Sequence, residues 1–145
     1  MGSPVEFTPG QTSRLTRTVT AAVVDAFAAV STDDNPLHLD EEYAATTRFG
    51  KRVAHGMIAA SFISAMMGTQ FPGPGAIYLS QSLKFTRPVF LDDVLDVVAT
   101  VTAYRADKEI VTIETIVTNQ HGKVVVTGEA QCLVSDLVAA PVLAS

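Results

Sequence analysis

One cysteine and no tryptophan stand in a chain of 145 residues. A lone Cys132 can form no internal disulfide and no thiolate metal cluster, so a reducing, cytoplasmic setting is expected. Basic residues are scarce too. Ten Lys and Arg against fifteen Asp and Glu leave a formal net charge of −5, and no basic run occurs. That argues against a nucleic-acid surface. Between Val53 and Leu83 there is no Asp, Glu, Lys or Arg at all. The apolar part of that stretch is only "GMIAASFISAMMG", residues 56–68, before "FPGPG" ends it. A helix of that length rises roughly 20 Å, short of a bilayer core of about 30 Å. A buried core helix is expected there, and no membrane span. The start, "MGSPVEFTPGQT", lacks a basic segment followed by an apolar one, so no signal peptide is expected. Glu6 stands where a myristoylation motif needs Ser or Thr.

Apolar residues are plentiful, at 48% of the chain, which is ample for one domain with a full core. Residues 1–145 read as a single unit, with about 136–145 expected to fray. Val23, Phe27 and Val30 recur at helical period, and Thr20 precedes them as an N-cap. "LDEEYAATTRFG" reads as a second helix, capped by Asp40 and stopped by Gly50. After "FPGPG" the period becomes two. "AIYLSQSLKF", "DVLDVVATVTAY", "EIVTIETIVTN" and "KVVVTGEAQCLV" read as four strands in meander spacing, with a hairpin turn at Asn119–Gly122. "SRLTRTVT" is a fifth strand near the start. Antiparallel strands with short links and one long apolar helix suggest an α+β fold. In it, a curled sheet takes the helix in its concave face.

The polar stretch "STDDNPLHLD", residues 31–40, contrasts with its apolar flanks. Asp33 and His38 are separated by Asn35 and Pro36, and an Asn-Pro pair turns the chain, which brings His38 back toward Asp33. A carboxylate and an imidazole so placed can hold one water and move its protons. The spacing alone more often marks a capping loop with surface acids. In "RVAHGMIAAS", Gly56 opens the apolar helix, and its N–H has no intrahelical partner. The positive end of the helix suits an oxygen that becomes negative, such as a thioester carbonyl on its way to an enolate. A tight turn alone would also use a glycine there.

Together, "STDDNPLHLDEEYAATTRFGKRVAHGMIAASFIS" closely resembles the hydratase-2 motif of the MaoC-like family, the (R)-specific enoyl-CoA hydratases. That motif runs D-x-N-P-x-H, a short helix, then A/V-H-G-M at the head of a long one. The likeness continues through "AIYLSQSLKFTRPVFLDD" and "VTGEA", nearly the whole chain. It resembles most the short, single-domain members that feed polyhydroxyalkanoate synthesis. The resemblance implies a hot-dog fold, a curled antiparallel sheet wrapped around a long central helix, usually as a homodimer. It implies Asp33 and His38 as the catalytic pair and Gly56 as the donor to the thioester carbonyl. It makes Asn35 the shaper of the loop and Ser64, which aligns better than Ser61, a supporting residue. Many members carry Gly where this chain has Thr32.

His55 is read as a structural histidine beside the helix start, His121 as inert, and Asp34 as a solvated bystander. Asp33, His38 and Asp40 lack the H-x-H or H-E-x-x-H spacing of a metal site, so none is expected. Arg48, Lys51, Arg52, Lys84 and Arg87 are candidates for the phosphates of a CoA ester. Met57, Phe62, Met66 and Met67 are either an acyl tunnel or ordinary core. The expected reaction is reversible hydration of a trans-2-enoyl-CoA to an (R)-3-hydroxyacyl-CoA, with no cofactor beyond the CoA of the substrate. The rivals are a dehydratase of a fatty-acid or polyketide pathway, a thioesterase, and an acyl-CoA-binding module without activity.

Overall fold

The computed structural model describes residues 5–144. Strand β1 (Thr12–Thr18) comes first. Helices α1 (Ala21–Ser31), α2 (Pro36–Leu39), α3 (Glu41–Ala45) and α4 (Gly56–Thr69) follow. Strands β2 (Ile77–Gln81), β3 (Lys84–Phe85), β4 (Val94–Arg105), β5 (Ile110–Thr118) and β6 (Val124–Leu133) complete the chain. All pairings are antiparallel, in the order β1-β4-β5-β6-β2, with β3 also on β6.

The expected four-strand meander holds only for β4, β5 and β6. The reason is competition for an edge: β1 pairs along its whole length with the first part of β4, from Thr12↔Thr100 to Thr18↔Val94, so β2 lies across the sheet, on β6. The single strand expected over "AIYLSQSLKF" is also two. A register shift falls between Tyr78 and Ser80, and the chain leaves the ladder at Ser82–Leu83 before β3. There the Ser82 carbonyl passes so close to Gly128 that a Cβ at 128 would lie 1.9 Å from it. The glycine of "VTGEA" is therefore a requirement of close backbone approach.

Helix α4 contacts β1 and β2, at opposite ends of the strand order, as well as β4 and β6. A sheet whose two edges touch one helix must curl around it. Ile58, Ala59, Ile63, Met66 and Met67 fill that concavity against alternate residues of β4 and β5 such as Leu95, Val97, Val101, Val111 and Ile113. Met66 and Met67 are thus core, Phe62 packs at its margin, and Met57 is half-exposed. This is the curled sheet and central helix expected of a hot-dog fold.

The local signals behave unevenly. Thr20 caps α1, its hydroxyl accepting from the Val23 N–H, and Asp40 caps α3 by accepting from Tyr43. Helix α3 ends at Ala45, short of Gly50. The hydroxyls of Thr46 and Thr47 bond back to the Tyr43 and Ala44 carbonyls and favour a turn over another helical residue. The hairpin at Asn119–Gly122 forms as expected, closed by Asn119 N–H to the Lys123 carbonyl. Residues 138–144 lie back along the body. Val138 N–H bonds to Pro74 O, Val142 N–H to Gln70 O and Ala144 N–H to Thr12 O.

Candidate active site

The polar stretch becomes a knot between α1 and α4. The chain leaves α1 through Thr32, which sits in the left-handed region at φ 64°. Asp33 follows, exposed, with its N–H on the Ser31 hydroxyl and a carboxylate oxygen accepting from Asn35 N–H. The Asn-Pro turn is realised as the start of a one-turn helix. Asn35 is the N-cap of α2, its side-chain oxygen accepting from Leu37 N–H, and Pro36 occupies the first turn, where a missing N–H is harmless. His38 rides on this turn.

His38 Nδ1 lies 2.5 Å from the Val53 carbonyl. A carbonyl only accepts, so Nδ1 carries a hydrogen, and in the neutral ring Nε2 is the nitrogen with a free lone pair. Arg52 donates from Nε to the His38 carbonyl at 2.6 Å, and its guanidinium also reaches Asp25 at 3.4 Å and Glu41 at 3.9 Å. His55, only 3% exposed, places Nε2 2.9 Å from the Asp33 carbonyl. Its ring lies 3.9 Å from the His38 ring and 4.8 Å from Phe27, centroid to centroid.

A carboxylate oxygen of Asp33 and one nitrogen of each imidazole all lie within 4.8 Å of one another. A water with two hydrogen bonds of about 2.8 Å spans about 4.6 Å at a tetrahedral angle, so a carboxylate and an imidazole this near are within reach of one shared water. A metal ion fits the donor set poorly. The two rings are stacked with only 30° between their planes, so their in-plane lone pairs do not converge on one point.

Gly56 begins α4, and His55 as its N-cap makes no side-chain cap bond, so the positive helix end is left uncapped. The space in front of it is a cavity of about 510 Å³ lined by residues including His38, Gly56, Met57, Phe85, Arg48 and Arg87. Its neighbour, about 610 Å³, is lined largely by apolar residues and by Ser61, Ser64, Tyr78 and Gln81, with Met57 common to both. Burial and then the charge of Cys132 push the Tyr78 hydroxyl up to about 12, so it stays a donor, here to Gln81.

The expected residues therefore separate. Asp33 lies within 4.8 Å of an imidazole nitrogen of His38, His38 and Gly56 line one cavity, and Asn35 builds the turn. Arg48 and Arg87 reach the same cavity, whereas Lys51 lies over the Phe90 ring and Arg52 is committed to His38, Asp25 and Glu41. Lys84 is exposed on β3 and lines neither cavity. Ser64 lies along α4 in the second cavity, while the Ser61 hydroxyl is taken by the Ile58 carbonyl. Two participants were not anticipated as such. His55 touches both members of the pair, and Phe85 packs against Gly56. Only proximity in the fold reveals them, although "AHG" gave a hint for His55.

The profile of the MaoC like domain matches residues 5–124. The chain belongs to this MaoC-like family. Within it, the chain is 51% identical over 121 residues to an (R)-specific enoyl-CoA hydratase of Aeromonas caviae, covering 83% of this chain and 90% of that protein. It is 48% identical over 125 residues to an (R)-specific enoyl-CoA hydratase of Rhodospirillum rubrum, covering 86% of each. The solved structure of the R-hydratase PhaJ1 from Pseudomonas aeruginosa, unliganded, superposes with a TM-score of 0.86 at 44% identity. That match covers 97% of this chain and 94% of that one. The hot-dog architecture of this MaoC-like chain is thus shared with solved (R)-hydratases.

Proposed function

We propose that the protein hydrates trans-2-enoyl-CoA to (R)-3-hydroxyacyl-CoA, reversibly. The observation that carries this reading is an imidazole, His38, that lies within 4.8 Å of the Asp33 carboxylate and shares one cavity wall with the uncapped helix start at Gly56. Asp33 and His38 hold one water. Its hydroxyl adds to the β-carbon, and the electron pair of the double bond passes through the α-carbon toward the thioester oxygen. The Gly56 N–H meets that developing charge. The proton left on the Asp33–His38 pair then returns to the α-carbon on the same face. The thioester itself acidifies the α-carbon, so the reading needs no metal and no redox group. Arg48 and Arg87 would take CoA phosphates at the mouth of the first cavity. The apolar second cavity would take the acyl chain, with Ser64 on its wall.

Purified protein mixed with crotonyl-CoA tests this by loss of ultraviolet absorbance of the conjugated thioester, followed by product chirality. No loss across several chain lengths, or an (S) product, overturns the reading. Asp33→Asn should lower kcat by about 10²–10⁴-fold, the range of general acid–base catalysis, with the fold retained. Its one side-chain bond, from Asn35 N–H, can be made to an amide oxygen as well.

A homodimer is part of this proposal. β2 is an edge strand, and Ile77, Leu79, Phe85 and Met57 are each about half exposed beside it. An apolar edge of this kind calls for a cover, and a second copy supplies one. Light scattering at micromolar concentration should give twice the chain mass. A reducing cytoplasm suits the buried free thiol of Cys132.

A further inference from the structure

We propose that His55 is a positioning residue of this reaction: its Nε2–H fixes the Asp33 backbone, while its ring packs against that of His38. The inference deepens the hydratase reading and rests on it. His55 lies at the N-cap of α4, yet its side chain caps nothing there. Its Nε2 lies 2.9 Å from the Asp33 carbonyl, which can only accept, so the hydrogen is on Nε2. In the neutral ring Nδ1 is then an acceptor, and it is buried without a hydrogen-bond partner among the described residues. A histidine present only to fill space would leave that atom for no return, since a phenyl ring fills the same volume with no orphan.

Two contacts distinguish a histidine here. The ring lies 3.9 Å from His38 and 4.8 Å from Phe27, centroid to centroid, and Nε2 supplies the donor to the Asp33 carbonyl. Phenylalanine offers the ring alone. Glutamine offers the donor alone, at nearly the same reach. The donor matters because Asp33 is exposed and follows Thr32 in a left-handed conformation, so little apolar packing holds its backbone. The His55 bond ties that backbone to the helix whose start presents Gly56. The carboxylate, the imidazole and the N–H donor are thereby held in one frame. A displacement of the order of 1 Å in such a frame is worth about 10²-fold in rate.

The test uses the full chain with crotonyl-CoA, at a temperature where circular dichroism shows each variant folded. His55→Phe should lower kcat by about 10–100-fold and leave KM within about twofold, because the residues lining the CoA cavity are untouched. His55→Gln should restore kcat to within about fivefold of the parent. A kcat for folded His55→Phe within threefold of the parent overturns the proposal, as does a glutamine variant no better than phenylalanine. If His55→Phe does not fold, His55→Gln decides alone: near-parental kcat supports the proposal and a loss above tenfold overturns it. An arm independent of activity is the nitrogen-15 spectrum of the imidazoles in mildly alkaline buffer. It should show His55 protonated at Nε2 and bare at Nδ1. The opposite tautomer removes the bond to Asp33 and overturns the proposal even in an active enzyme. An inactive parent with the expected tautomer instead overturns the hydratase reading.

Discussion

Gly56→Ala separates what the glycine does for chemistry from what it does for stability. A Cβ built at Gly56 lies 2.9 Å from Cδ1 and 3.0 Å from Cε1 of Phe85. The nearer contact is about 0.5 Å short of the 3.4 Å at which ordinary contact begins. The Phe85 ring is 51% exposed, so it can swing outward by that amount without disturbing the core. Alanine gains up to about 1 kcal/mol over glycine in a helix, and less at its first residue. Stability should therefore stay within about 1 kcal/mol of the parent, a melting-temperature change of about 2–4 °C. Activity should behave otherwise. The new methyl group and the displaced ring both stand in the cavity in front of the Gly56 N–H. A substrate carbonyl held out of hydrogen-bond range loses the stabilisation of one oxyanion donor, about 10²–10³-fold in kcat. The assay is initial-rate hydration of crotonyl-CoA beside a thermal melt. Gly56→Ala with Phe85→Ala tells methyl from ring. If the methyl group itself blocks the carbonyl, the double variant stays slow, and if the ring blocks it, activity returns. A Gly56→Ala enzyme with parental kcat and kcat/KM would refute the placement of the thioester at this helix start.

Other substitutions probe the frame and the core. Arg52→Ala removes a charged donor from the His38 carbonyl, worth about 1.5–3 kcal/mol, and should lower the melting temperature by several degrees. If Arg52 instead bound CoA phosphate, KM would rise with the melt unchanged. Thr32→Gly removes a β-branched residue from φ 64°, a strain of about 1–2 kcal/mol, partly offset by the about 0.5–1 kcal/mol greater chain entropy of glycine. A melting temperature higher by about 1–3 °C is expected, and a lower one refutes the strain argument. Burial pushes the Cys132 thiol up to about 11. A group whose folded value is raised stabilises fully below its unfolded value and loses that contribution as pH rises through the folded value. Stability should therefore fall from about pH 9 to about pH 11, and Cys132→Ala, though weaker at neutral pH through lost packing, should fall less steeply over that window. Equal slopes would contradict it.

The parts of this fold that could be read from the chain are those set by near neighbours. The caps Thr20 and Asp40, the Asn35–Pro36 turn, the hairpin at Asn119 and the apolar helix from Gly56 each depend on contacts within a few residues. The errors lie where distant partners decide. The order of β2 in the sheet depends on β1 having taken β4, and nothing in "AIYLSQSLKF" records that. The five basic candidates look alike in sequence. What separates Arg48 and Arg87 from Arg52 is only which carbonyl, carboxylate or cavity lies within reach.

The same distinction explains how an exposed loop can carry chemistry. Asp33 is not held by apolar burial, for residues 31–36 are all exposed, and His38 is only half-buried. Three side chains instead grip three carbonyls across the fold: His55 on Asp33, Arg52 on His38, and His38 on Val53. Two of these groups, and the carbonyl of the third, come from residues 52–55, the segment that leads into α4. That segment is in turn fixed to the sheet layer by Ala54 N–H on the Val89 carbonyl and by the Val53–Phe90 bridge. The loop inherits its geometry from the segment that ends at Gly56. The proposed acid–base pair and the proposed oxyanion donor are therefore one mechanical unit, and a change in "RVAH" should be felt at both.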